Sequence, residues 1–118
     1  MVISTNLHLG VGIARGDQFP LRRTLTGLPA NVTISSAKLT LKTNISDADP
    51  GLWQLSATVE DTGSTGIGTI RFDVTSTQTL LMVQDTPYWF DIQVTLSNGS
   101  ILTIEEGITS ALYQVTTT

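Results

Sequence analysis

Apolar and polar residues alternate with a period of two along most of this chain, which is the mark of half-buried strands rather than helices. Phe19, Leu21, Arg23 and Leu25 fall on one face, with Gln18, Pro20, Arg22 and Thr24 on the other. Pro20 has no N–H to give to a ladder, so this strand is expected to lie at a sheet edge or to start at one. Ala37, Leu39 and Leu41 alternate with Ser36, Lys38, Thr40 and Lys42, whereas Val32 and Ile34 upstream sit in the opposite phase. That change of phase predicts a bend or bulge near Ser35. Trp53, Leu55, Ala57 and Val59 form a further run, and Ile70, Phe72 and Val74 another, with "DTGSTGIG" (61–68) read as a mobile connection between them.

The clearest local signal is "PYWFDIQVTLSNGSILTIEEG" (87–107). Tyr88, Phe90, Ile92, Val94 and Leu96 face one way, and Trp89, Asp91, Gln93 and Thr95 the other. A two-residue turn would put Leu102 and Ile104 on the wet face. A three-residue loop, Ser97 to Gly99 with Gly99 left-handed, sets Val94 against Leu102 and Ile92 against Ile104, so the bulged hairpin is predicted. Ala111, Tyr113 and Val115 complete the pattern in a last strand. Only "TSTQTLLM" breaks the alternation. Thr75 with Gln78 three residues on fits a capping box, predicting a short helical turn that drops Leu80 or Leu81 into the open end of the core.

Seven or so strands at roughly eight- to twelve-residue spacing predict an all-β fold, an antiparallel immunoglobulin-like β-sandwich with at most one helical turn. Ser and Thr supply 30 of the 118 residues, which suits pleated surfaces. A chain of this length forms one core. Cysteine is absent, so the sandwich has no disulfide and the chain no thiolate metal site.

Charged residues make up only 14% of the chain, the net charge is −4, and the six cations do not cluster beyond Arg22-Arg23. Nucleic acid is therefore not an expected partner. The N-terminus lacks the basic start and long apolar region of a signal peptide, and the longest strongly apolar run is Leu80 to Val83. The expectation is a soluble protein made in the cytoplasm, with no membrane contact. Sequons beginning at Asn31, Asn44 and Asn98 are then read as turn chemistry.

Candidate chemistry is sparse. His8, the one histidine, lies ahead of the predicted sandwich, where the core cannot place it in a cleft. Glu105 and Glu106 are adjacent in a strand and point to opposite faces, so they cannot act together as acid and base; they read as a solvated strand end. Asp47 and Asp49 lack the glycine and distal glutamate of a calcium loop. No catalytic, cofactor-binding or metal-ligating residue is nominated, and no enzyme activity is expected. The tripeptide Arg15-Gly16-Asp17, an adhesion signal in other settings, runs straight into the Phe19 strand and is read as a turn at the start of the sandwich.

What remains points to binding. Residues 1–12 are read as an extended N-terminal arm ahead of a sandwich at 13–118. In it Ile3, Leu7, Leu9 and Val11 alternate, as in an arm able to add a strand to an adjacent subunit. Arg23, on an apolar face, either packs its stem and sends its head to solvent or a neighbouring carboxylate, or makes an inter-subunit salt bridge. Trp89, on the wet face of its strand, is a candidate interface residue, and Trp89 or Trp53 a candidate sugar-stacking platform.

The order "RGDQF", "SSAKLTLKT", "IRFDVTSTQTLLM", "YWFDIQVTLSNGSILTIEEG" and "ALYQVT" resembles the small immunoglobulin-like domains of tailed-phage virions, in particular the N-terminal domain of the baseplate upper protein family. The resemblance rests on Gly16-Asp17, on Tyr88, Phe90, Asp91, Ile92 and Gln93, and on Thr103, Ile104 and Gly107, and spans residues 13 to 116. Family members continue into a long stalk where this chain stops at Thr118, and residues 1–12 are extra. The resemblance therefore implies a non-enzymatic virion component: a head-decorating or cement protein, a head-fibre base, or a small baseplate or tail adaptor. It would bind copies of itself and the underlying capsid or tail. The alternative is a carbohydrate-binding sandwich for host-surface glycans.

Overall fold

The computed structural model describes residues 12–111 and, as backbone alone, residues 2–5 and 112. Its elements are β1 (Val2–Thr5), β2 (Ile13–Ala14), β3 (Phe19–Thr26), β4 (Ile34–Lys42), β5 (Trp53–Ser56), β6 (Thr58–Thr62), β7 (Ile67–Val74), α1 (Ser76–Leu80), β8 (Pro87–Leu96) and β9 (Ile101–Leu112). Two sheets form, in the orders β1-β3-β7-β6 and β2-β9-β8-β4-β5. Lettered along the chain, these are A-B-E-D and A′-G-F-C-C′, the topology of an immunoglobulin-like sandwich. The first strand is divided between the sheets. β1 pairs antiparallel with β3, and β2 pairs parallel with β9.

The alternation read from the sequence is the alternation observed. In β8 the side chains of Tyr88, Phe90, Ile92, Val94 and Leu96 are buried and those between them are not. They meet Leu21, Leu25, Ile70 and Phe72 of the facing sheet in one core. The phase change in β4 is a register shift between Ile34 and Ser36. Pro20 lies in the half of β3 that β1 does not reach, since β1 covers only Arg23 to Thr26. The Ser97–Gly99 loop has the predicted form: Gly99 has φ 87° and Leu96 N–H donates to Ser100 at 2.9 Å.

Several expectations are corrected. The run from Trp53 to Val59 is two strands, because after Ala57 the chain leaves the β4 edge of one sheet for the β7 edge of the other. "DTGSTGIG" is a hairpin rather than a mobile connection; Gly66 N–H closes on Gly63 at 2.9 Å and its carbonyl accepts from Leu28. The last strand is not separate, since β9 runs unbroken from Ile101 through Ala111. Gly107 allows this: it faces Phe90, and a Cβ there would lie 3.3 Å from the ring. Residues 2–5, the described part of the N-terminal arm, pair as an edge strand with the chain's own β3.

The β8–β9 ladder also slips. Val94 pairs with Leu102 as predicted, but a bulge between Ile92 and Gln93 sets Ile92 opposite Glu105 instead of Ile104. Because side chains alternate, this one-residue shift inverts everything beyond it. Glu105, Gly107 and Thr109 turn inward, and Glu106 and Ile108 turn outward.

The capping box is present: Thr75 accepts from Gln78 N–H, and the Gln78 side chain accepts from Thr75 N–H at 3.0 Å. The residue that plugs the core end is Met82, 1% exposed, while Leu80 and Leu81 stay about half exposed. Tyr88 fastens the chain just beyond this plug, its hydroxyl accepting the Val83 N–H at 2.6 Å. This matches the tyrosine corner of immunoglobulin-like domains, and Phe90, two residues on, stands where their second cysteine would be. Tyr88→Phe is expected to cost about 1–2 kcal/mol by stranding the Val83 N–H, read as a shift in the denaturation midpoint at unchanged slope.

Candidate functional site

The Arg15-Gly16-Asp17 tripeptide is a tight turn between β2 and β3. Asp17 N–H donates to Ala14 and Gly16 has φ 87°, a conformation that glycine adopts without strain. The turn is bolted to α1. Arg15 Nε donates to the Met82 carbonyl at 2.7 Å and Nη2 to that of Leu80 at 3.2 Å. Buried Thr79 accepts from Gly16 N–H at 3.0 Å and donates to the Asp17 carbonyl at 2.8 Å. The arginine that an adhesion motif would present is occupied within the fold.

Arg23 is 1% exposed and reaches across the sandwich from β3 to β9. Its Nε and Nη2 donate to the two Glu105 oxygens at 2.7 and 3.0 Å, and Nη1 donates to the Arg22 carbonyl at 2.9 Å. Of the two readings of Arg23, the structure takes the neighbouring carboxylate, not an inter-subunit bridge. Glu105 is correspondingly a core-facing residue and not part of a solvated strand end. Trp53, at 6% exposure, belongs to the core and cannot serve as a platform.

Among the described side chains, Trp89 is the candidate that remains on the surface, 39% exposed on the outer face of the β9-β8-β4 sheet. The register sets Ile108 and Lys42 on either side of it. With Ile45 it walls a concavity of about 360 Å³ whose floor includes Thr40, Asp91, Glu106 and Gly107. Lys42 Nζ pairs with Asp49 at 2.9 Å and holds that carboxyl below its usual range. Asp91 and Glu106 sit opposite one another in the ladder, and neither side chain has a hydrogen bond or close ion pair among the described residues. Partial burial pushes the Asp91 carboxyl up; Lys42 opposes this, and Asp49 and Glu106 reinforce it. Since the folded state holds the Asp91 proton more tightly than the unfolded chain, the charged form weakens folding, and the penalty disappears as pH falls through the raised value. Asp91→Asn is thus expected to stabilise the domain near neutral pH, with the advantage lost in acid, as read from melting curves across pH.

Leu7, Leu9 and Val11, like His8, Tyr113 and Val115, lie outside the described residues. Ile3 is placed in β1 opposite Leu25. The sequence nominated Trp89 but not its surroundings. Ile45 meets it from the connection after β4, and Glu106 and Ile108 only through the β8–β9 register, which depends on a bulge that alternation does not reveal. No group of three or more histidine, aspartate or glutamate side chains placed to hold a metal occurs among the described residues. No protein-family model, curated protein or solved structure matches the chain.

Proposed function

We propose that this is a non-enzymatic structural component of a tailed-phage virion, binding copies of itself and the underlying capsid or tail. The reading rests on the likeness of the Gly16-Asp17 turn, the Tyr88–Gln93 strand and the Thr103–Gly107 segment to virion immunoglobulin-like domains. The observation that carries it is the uncovered cross-strand pair Trp89 and Ile108, with Ile45 beside it. Such large apolar side chains on a sheet face are better explained by a partner than by water. Self-association would use the free edges of the sheets, of which β5 and β6 are short. Mass spectrometry of purified particles tests the reading: the chain is expected at capsid or tail copy number, and its absence from virions overturns it.

A second reading, a glycan-binding module, has its own support. An exposed indole beside unpaired Asp91 and Glu106 and the Thr40 hydroxyl is a stacking surface with hydrogen-bond acceptors for sugar hydroxyls. A glycan array with Trp89→Ala as control decides it, since binding that survives the substitution removes the role given to the indole.

A further inference from the structure

The sandwich has two unlike ends. At one end lie the connections between β2 and β3, β4 and β5, and β7 and β8. Hydrogen bonds from Arg15 and Gly16 to residues 79–82, and the shared walls of Ile45 and Trp89, bring them together. At the other end lie residues 27–33, 63–66 and 97–100, joined by Leu28 to Gly66 and by Ser97 to Thr33. The second group itself contains no charged residue, and Asp61 at its border accepts the Gly63 N–H at 2.9 Å; the first carries Asp17, Asp47, Asp49 and Asp85 against Arg15 and, at its border, the Lys42 that pairs with Asp49. Unpaired Asp91 and Glu106 adjoin the charged end.

Apolar exposure follows the same division. Ile45 (70%), Val83 (61%), Leu81 (53%), Ile108 (52%), Leu80 (48%) and Trp89 (39%) all lie at or beside the acidic end, whereas the neutral end shows Ile67 and Ile101. Met82 and Thr79 are the buried residues of this segment, and Leu80 and Leu81 stay about half exposed beside them. The segment is also tied down, by Arg15 on the Leu80 and Met82 carbonyls and by Tyr88 on Val83, so little conformational freedom would be lost on contact.

We propose that this end is a docking surface for a partner protein that presents lysine and arginine around an apolar patch. Charge complementarity selects that partner over a second copy of the chain. Arg22, Arg23, Lys42 and Arg71 are each engaged with a carboxylate of their own chain and Arg15 with backbone carbonyls, which leaves Lys38 as the cation with no hydrogen bond or close ion pair among the described residues. A copy of this chain thus has no basic patch to offer its neighbour. The inference rests on the virion reading only for where such a partner would be found.

The test uses the isotope-labelled full chain and two synthetic amphipathic peptides, one of lysine and leucine and one of glutamate and leucine. The lysine peptide is expected to shift the amide signals of Asp47, Leu81, Asp85, Trp89 and Ile108 while leaving Asn31, Ser64 and Asn98 in place. Its affinity should fall about tenfold between low and high salt, because exposed charges are screened. Leu81→Ser should weaken it about tenfold more by removing buried apolar area, and Ile101→Ser at the neutral end should leave it unchanged. Equal binding of both peptides, shifts at the neutral end, or indifference to Leu81→Ser would overturn the proposal. Peptide binding by a chain absent from virions would keep the docking end and discard its virion setting, so the two failures are distinct.

Discussion

Glu105→Leu is expected to cost the domain about 3–5 kcal/mol, read as a lowered urea midpoint followed by tryptophan fluorescence. The substitution leaves Arg23 at 1% exposure with a charge that water does not reach and no carboxylate to meet it. Two of its N–H groups would lose their acceptors, and only the Arg22 carbonyl at 2.9 Å would remain. Since domains of this size are stable by only about 5–15 kcal/mol, the variant should approach half unfolding at modest denaturant. The double variant Arg23→Met/Glu105→Leu is the informative partner. It removes both charges and fills the space with apolar volume, and it should recover most of the loss or exceed the wild type, because a buried guanidinium and its partly buried carboxylate are no longer held between the sheets. A cost below about 1 kcal/mol for Glu105→Leu alone would mean that water reaches the guanidinium.

That ion pair also shows where alternation stops being informative. Phe19 to Leu25, Ala37 to Leu41 and Tyr88 to Leu96 read correctly because burial on one face imposes period two directly on the residue types. Arg23 was visible as an anomaly in that pattern, but its partner was not. With a regular ladder Glu105 would point to water beside Asp91; one extra residue in β9 turns it inward. The same bulge puts Gly107 under Phe90 and sends Glu106 and Ile108 out to Trp89. Core ion pair and surface site are therefore two consequences of one irregularity, and neither was legible without it. The crossing from β5 to β6 was hidden for the opposite reason: Trp53, Leu55, Ala57 and Val59 keep one phase through the change of sheet, so no break marks it.

At the corner between β7 and β8 the sequence supplied the turn but not the plug. The capping box locates the helix start by backbone chemistry, whereas four successive apolar residues, Leu80 to Val83, do not show which of them turns inward. The structure buries Met82, unbranched and able to fill an irregular gap, beneath the Arg15 clamp. Met82→Ala is expected to cost about 2–5 kcal/mol, the sum of lost transfer energy and a cavity at the core end. Leu81→Ala, one residue away and 53% exposed, should stay within about 0.5 kcal/mol of the wild type. The difference between the two midpoints separates packing from docking at this corner: a leucine that adds nothing to folding but strengthens binding of a basic peptide has been kept for the partner. If Leu81→Ala instead destabilised the fold as much as Met82→Ala, the exposed leucines would belong to the core, and the acidic end would lose its apolar half.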